Sequence, residues 1–183
     1  MRRIFPLSLV LALALFGLGT ASGLGASGSQ SYQLHIEVPN VSQAANGDRV
    51  AVTGGGVFSV HPKSVTASGN FTHTNSQGTV IASGAWTATD LLSFEFYGCG
   101  VIESLGVTVP PDFCGGALKL GVVLTPAGTS LAIPGILTIF CIIGPQAPPP
   151  HDDPTGEGIH LVVPGVANFN EIVSGMNVYI RTS

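Results

Sequence analysis

Apolar and polar side chains alternate along residues 49–97, and this alternation predicts an all-β chain. Three similar segments within the stretch place Phe58, Phe71 and Trp86 two positions after a glycine. Four-residue sequences typical of turns separate the three segments. Because side chains of a strand point alternately to two faces, the pattern predicts an antiparallel meander with one apolar face and one hydroxyl-rich face.

The spacing of the turns predicts the register of this meander. If each turn contains four residues, Gly56, Gly69 and Gly84 lie side by side across three strands. Glycine inside a strand has no side chain to pack, so the row predicts a sharp bend or the close approach of another element. A fourth strand at residues 91–97 would then place Phe96 beside Gly84.

The same register predicts which side chains form the core. The buried face is expected to carry the aromatic residues Phe58, Phe71, Trp86, Phe94 and Phe96, and the opposite face Asn70, Thr72, Thr87 and Tyr97. His73 continues the apolar face, one residue before a turn. His73, Trp86 and Phe71 are therefore candidates to line a cavity, although a histidine at the rim that contacts water or a carbonyl is the simpler interpretation for His73.

Further alternating or apolar segments predict five more strands, at residues 32–38, 117–125, 136–143, 159–163 and 177–181. Residues 39–47 and 98–116 are predicted to be connections, and residues 145–158 a Pro-rich acidic loop. No segment has the pattern of a long amphipathic helix. The prediction is one antiparallel domain at residues 32–183, a β-sandwich or a strongly coiled β-barrel built around the meander at 49–97.

The first residues have the pattern of a secretory signal peptide. Two arginines precede an apolar run that ends in small residues, which predicts a leader at 1–23 followed by a flexible spacer at 24–31. A secreted, extracellular protein is therefore expected. Gly23 to Gly28 match a dinucleotide-binding fingerprint in their letters, but no strand precedes them, so no cofactor is predicted.

Charge excludes one class of partner. Without the two leader arginines, four basic residues remain against ten acidic ones, a formal net charge of −6. Nucleic-acid binding requires a basic stripe, and the sequence has none. The apolar run at 131–143 is short and broken by Pro134-Gly135, which favours a buried strand over an integral membrane span in the mature chain. The expected partner is an unknown extracellular protein or a small apolar ligand.

Three cysteines in an exported chain predict one disulfide and one remaining thiol. Cys99 and Cys114 lie in one connection, and closing that loop would stabilise the fold by about 3 kcal/mol. Pairing of either residue with Cys141 stays open, because the strands that carry Cys114 and Cys141 are candidates for a hairpin. A zinc site lacks the paired Cys-x-x-Cys spacing, and no metal is predicted.

The remaining polar residues do not form a recognisable catalytic motif, and no catalytic residue is predicted. The densest polar group is His151, Asp152, Asp153, Glu157 and His160, which is interpreted as a solvated loop because no regular element would fix metal ligands there. Two Asn-x-Ser/Thr sequences make Asn40 and Asn70 possible glycosylation sites.

The sequence therefore favours a secreted, non-catalytic β-domain that acts as an extracellular surface or binding module. The alternative is a β-barrel that carries a small apolar ligand or performs cofactor-free chemistry in its lumen. The two differ in whether side chains fill the interior behind the glycine row or leave a cavity there of roughly several hundred Å3.

Overall fold

The computed structural model describes residues 29–148 and 156–183, and these ranges consist almost entirely of antiparallel strands. The predicted all-β fold is confirmed. Its only helical segment within these ranges is a 3-10 turn at Glu103–Leu105. The strands are β1 (Ser31–Ile36), β2 (Asn40–Ala44), β3 (Arg49–Ser59), β4 (Ser64–Thr74), β5 (Val80–Cys99), β6 (Val101–Ile102), β7 (Val107–Thr108), β8 (Phe113–Pro126), β9 (Ile133–Cys141), β10 (Gly158–Val163), β11 (Ala167–Ser174) and β12 (Asn177–Arg181).

Ten of these strands form one sheet whose hydrogen-bonded pairings close on themselves. Strands β3 and β8 are long enough to have two partners along one edge. β3 pairs with β4 on one side and with both β2 and β1 on the other, and β8 pairs with β5 on one side and with both β9 and β12 on the other. Three routes therefore link β3 to β8: through β4 and β5, through β1 and β12, and through β2, β11, β10 and β9.

Of the two predicted architectures, this closure matches the strongly coiled barrel better than a sandwich of two separate sheets. The inward side chains of all the long strands meet in one apolar core, in which Trp86, Tyr32 and Tyr179 are the largest fully buried side chains. Alternation along the strands produces this core directly: Leu118, Leu120 and the residues at every second position of β8 point inward.

The predicted register of the meander is wrong by two residues at each turn. In β3 the residue opposite Gly69 is Gly54 and not Gly56. In β5 the residue opposite Gly69 is Trp86 and not Gly84. The turn before β4 leaves Ser59 opposite Ser64, and the turn before β5 is followed by a register shift. An even shift preserves the faces. Therefore Phe58, Phe71 and Trp86 are buried together although the row of glycines does not exist.

The predicted fourth strand of the meander is instead the second half of β5, which runs without a turn for 20 residues. Three register shifts interrupt its pairing with β8. Each extra residue reverses the alternation locally. As a result Tyr97 is buried and Phe96 is 39% exposed, the reverse of the prediction, while Phe94 is partly buried.

The other strand predictions are correct to within a few residues, with two omissions. Residues 39–47 were expected to be a loop but contain β2, and β11 was not predicted. The connection at 98–116 contains the small β6–β7 pair and the start of β8. The predicted leader at 1–23, and most of the spacer at 24–31, lie outside the described residues.

Candidate functional site

The interior behind the meander is filled by an indole ring. The Trp86 ring lies over Gly54 and Gly69, where an added Cβ would come within 2.9 and 2.6 Å of ring atoms. Its Nε1–H donates a hydrogen bond to the Thr53 carbonyl at 2.8 Å. The two glycines thus provide the space that a flat ring needs against the backbone. Trp86, one of the candidate cavity-lining residues, thus occupies the space beside these two glycines.

The other two candidate cavity-lining residues, Phe71 and His73, have surroundings different from those of Trp86. Phe71 is part of the buried core. His73 is near the end of β4, where its Nε2 lies 3.2 Å from a carboxylate oxygen of Asp48 and its ring packs edge-on against Phe169. The partner of His73 is thus a carboxylate, and not the water or carbonyl that the sequence favoured.

The structure has a different cavity, at the end of the sheet where β1 finishes and β12 begins. We call it the groove; its volume is about 750 Å3. Most of its wall is apolar, which is typical of sites that bind small molecules. The residues that line the groove are Glu37, Ile102, Ser104, Leu105, Phe113, Ile142, Ile143, Glu157, Gly175, Met176, Asn177 and Val178.

One wall of the groove depends on a disulfide. Cys99 and Cys114 are opposite each other in β5 and β8 and are bonded, which confirms the predicted pairing. The loop that they close carries Ile102, Ser104, Leu105 and Phe113 of the lining. β8 and β9 do form the hairpin that favoured the alternative pairing, but Cys141 lies opposite Gly116 and remains a free, buried thiol.

Glu157 connects the backbone of three segments at the floor of the groove. Its Oε1 accepts a hydrogen bond from the Ile142 N–H at 3.1 Å, and its Oε2 accepts one from the Asn177 N–H at 3.3 Å. Ile142 follows β9 and Asn177 begins β12, while Glu157 itself precedes β10. The carboxylate therefore fixes the relative positions of three strand ends and remains part of the groove surface.

A second buried polar contact lies directly behind this floor. The side-chain amides of Asn40 and Asn177 exchange two hydrogen bonds, at 3.0 and 3.1 Å. Asn177 Nδ2 also contacts the Phe140 carbonyl at 2.9 Å, and Asn40 Nδ2 the Val38 carbonyl at 3.1 Å. Both amides are thus satisfied although buried, as a stable fold requires.

This contact contradicts one of the two predicted glycosylation sites. Asn40 is 0% exposed and its amide nitrogen is hydrogen-bonded, so the folded chain has no space for a glycan there. The sequence motif was misleading because residues 39–47 were expected to be a loop. Asn70 is exposed on the outer face of β4, where a glycan fits, and its modification stays a prediction.

The groove and its surroundings hold few ionisable side chains among the described residues. Burial, and then the nearby Glu157 carboxylate, raise the pKa of the Cys141 thiol far above its ordinary value, so the thiol stays protonated and is not a nucleophile at neutral pH. Among the described residues that line the groove, none is His, Lys or Arg. The lining combines apolar surface with two carboxylates, one hydroxyl and one amide.

The predicted solvated polar loop is described only at its end. His151, Asp152 and Asp153 lie outside the described residues, whereas Glu157 and His160 lie within them. His160 packs against the Phe140 ring with a centroid distance of 4.9 Å, and burial lowers its pKa. Within residues 29–148 and 156–183, no three His, Cys, Asp or Glu side chains are arranged to hold a metal.

The groove was missed by sequence reasoning because its residues come from six separate segments. Glu157 was noticed only as part of a polar loop, and Asn177 only as the start of a strand. An alternating strand that begins with an asparagine is a weak signal of a buried amide, and nothing local connects Asn177 with Asn40, 137 positions away.

Comparison with known proteins does not assign this site. No protein-family model, curated protein or solved structure matches the chain. In the part of the chain that the structure describes, no helix combines the length and the apolar character that crossing a membrane requires.

Proposed function

We propose that this protein is a secreted, non-catalytic binding domain, and that the groove is its binding site. The observation that carries this proposal is the contrast between an interior filled by Trp86 and an apolar cavity of about 750 Å3 at one end of the sheet. A volume of this size is typical of sites for small molecules. We favour the groove over a ligand held inside the sheet, because the Trp86 ring occupies the space beside Gly54 and Gly69.

Exposed apolar side chains at the rim support the same proposal. Leu105 is 68% exposed and Met176 is 53% exposed, and both line the groove. Large apolar side chains that are exposed beside a concave apolar surface are typical of interaction sites.

Binding is tested with N-phenyl-1-naphthylamine, a neutral dye that fluoresces in apolar sites. We expect saturable binding by the mature chain and at least about tenfold weaker binding by Leu105→Asp, which places a charge in the apolar wall. Leu131→Asp is the matched control, because Leu131 is also exposed but lies outside the lining. Equal loss of binding in both variants, or no binding by the wild type, would refute the proposed site.

The secreted part of the proposal rests on the leader pattern at 1–23 and on the Cys99–Cys114 disulfide, a bond that persists in oxidising compartments. We expect secreted material to begin between Ser22 and Gly28. Intact-mass analysis of that material measures the cleavage site, and recovery of only the full-length chain from cells would contradict export.

A further inference from the structure

Polar groups at the floor of the groove are bonded to one another within the protein. The Nδ2 of Asn177 donates hydrogen bonds to the Oδ1 of Asn40 at 3.1 Å and to the Phe140 carbonyl at 2.9 Å, and its Oδ1 accepts one from the Asn40 amide at 3.0 Å. Gly175 lies directly against Asn40, since a Cβ added there would collide with the Asn40 Oδ1. An amide with satisfied donors and a satisfied acceptor gains little from a polar ligand, so this part of the floor favours the apolar part of a ligand.

The other polar side chains of the lining differ in their surroundings. The Glu157 carboxylate accepts hydrogen bonds from the N–H groups of Ile142 and Asn177, at 3.1 and 3.3 Å. Glu37 and Ser104 are exposed to water at the rim. A polar group of a ligand therefore keeps its hydration at the rim, whereas burying it deeper in the groove would remove that hydration at a cost.

The walls between the floor and the rim are mostly aliphatic. Phe113 is the one aromatic side chain among the described residues of the lining. The other apolar side chains are aliphatic or contain a thioether, and they are Ile102, Leu105, Ile142, Ile143, Met176 and Val178. Aromatic rings gain most from packing against other rings, whereas a flexible chain adapts to walls of branched side chains and to an adaptable methionine.

From these observations we propose that the ligand is an amphiphile with an unbranched alkyl chain, which lies in the groove while the polar head stays in water at the rim. This inference rests on the proposed binding function and adds the chemical class of the ligand. The concave shape and the volume of about 750 Å3 favour a small molecule over the flat surface of a folded protein partner.

The burial of the chain is measured with 1-hexanol, 1-octanol and 1-decanol. Each competes with N-phenyl-1-naphthylamine for the mature wild-type chain. We expect the concentration that displaces half of the dye to fall about fourfold for each added methylene, because each one leaves water for an apolar wall.

Two further compounds separate the chain from the head. Diethylene glycol monobutyl ether has a chain of the same length as 1-decanol, with oxygen in place of two methylenes, and should displace the dye at least about tenfold less well. Decyl maltoside, used below its micelle concentration, has the same chain as 1-decanol and a much larger head. It should match 1-decanol to within about threefold, because the buried chain is the same.

A pair of variants locates the chain in the groove. Met176→Gln keeps an unbranched side chain but places an amide in the wall, and should weaken binding of 1-decanol about fivefold. Met176 is 53% exposed, so the variant is expected to fold, and its melting temperature is measured beside the binding. Leu131→Gln is the control, since Leu131 is 57% exposed and lies outside the lining.

The outcomes separate this inference from the proposed function. Dye binding with no dependence on chain length, or equal displacement by the ether and by 1-decanol, overturns the inference while the binding function stands. The same holds if decyl maltoside fails to displace the dye, or if both Gln variants weaken binding equally. Failure of the dye and of every alcohol to bind refutes the binding function. If sedimentation shows a dimer that Leu105→Asp converts to a monomer, a second copy of the chain occupies the groove and the inference is wrong.

Discussion

Two apolar regions of this molecule differ in whether a side chain fills the space beside them. Behind β3, β4 and β5, the Trp86 ring lies flat on Gly54 and Gly69, and its one polar atom is bonded to the Thr53 carbonyl. At the start of β12, apolar side chains of equal character line a groove of about 750 Å3. In the first region, the Trp86 side chain of β5 fills the space. The second region lies where several strands end.

The comparison shows which polar groups each region needs. A filled region needs only one hydrogen bond to satisfy its indole. In the groove, backbone groups at the strand ends need side-chain partners: the Glu157 carboxylate accepts from the Ile142 and Asn177 N–H groups, and the Asn177 amide donates to the Phe140 carbonyl. The open region is therefore held by buried polar contacts, and the closed one by packing. Each of the following experiments affects one region more than the other.

The largest effect is expected in the filled region. Trp86→Ala should lower the free energy of unfolding by about 3–5 kcal/mol, because the glycines beside the ring leave nothing to collapse into the space. Thr87→Ala, one residue along on the exposed face, should change it by no more than about 0.5 kcal/mol. Urea melts measure both; a loss in Thr87→Ala as large as that in Trp86→Ala would show that both faces of β5 are buried.

Loss of the disulfide should weaken the groove as well as the fold. The Cys99→Ala, Cys114→Ala double variant opens a loop with a sequence separation of 15, and the expected loss of stability is about 3 kcal/mol. Because this loop carries four lining residues, affinity for the neutral dye should fall in the folded variant too. Unchanged dye binding would show that the loop keeps its position without the bond.

The polar contact behind the groove is expected to matter somewhat less than the indole. Asn177→Ala removes both hydrogen bonds between the buried Asn40 and Asn177 amides and the one to the Phe140 carbonyl, and should cost about 2–3 kcal/mol of unfolding free energy. Asn170→Ala, on the exposed surface of β11, should cost no more than about 0.5 kcal/mol. Similar small values for both would mean that water satisfies the Asn40 amide.

Alkaline pH should destabilise the fold through the thiol beside the groove. Burial raises the pKa of Cys141 above its ordinary value of 9.0, so above that pH the unfolded chain loses a proton that the folded chain keeps. The contribution of Cys141 to stability should therefore be nearly constant below about pH 8 and smaller by about 1.4 kcal/mol at pH 10. Tyr32, Tyr97 and Tyr179 also have raised pKa values and lower the stability near pH 10, so the share of Cys141 is measured as the difference from a Cys141→Ala variant.

The control for this pH dependence is Cys141→Ala, in which the decline between pH 9 and 10 should be smaller by about 1 kcal/mol, while the tyrosine contribution remains. An equal decline in the variant and the wild type would assign the titration to groups other than Cys141.

The smallest effect on stability is expected at the rim of the groove. Leu105→Asp should change the free energy of unfolding by no more than about 0.5 kcal/mol, because this side chain is exposed, although the same variant should lose dye binding. A large loss of stability would show that Leu105 belongs to the core, and the two regions would then not differ as described.

The two regions also differ in how far the sequence predicts them. The alternation around Phe58, Phe71 and Trp86 predicts the buried face because a strand has a fixed period of two. An error of two residues in each turn left that face intact. The sequence pattern does not reveal the bulges in β5, because an inserted residue has no distinctive side chain. The prediction therefore placed Tyr97 on the wrong face.

The groove could not be predicted in the same way. Its position follows from pairings between β1 and β12 and between β9 and β10, which depend on how the whole sheet closes and not on any local pattern. The Cys99–Cys114 disulfide is the one part of the site that was predicted, because both residues lie in one connection.

The closure of the sheet also determines when this chain can finish folding. Strand β1 is bonded to β12, and the backbone of Ser31 contacts both Thr182 and Ser183, at 2.8 and 3.3 Å. A ribosome releases β1 first and β12 last, so the first strand waits for nearly the whole polypeptide before its second edge has a partner. Contacts between such distant residues form slowly. Strand β1 can therefore pair with β3 early, whereas its pairing with β12 closes the sheet last.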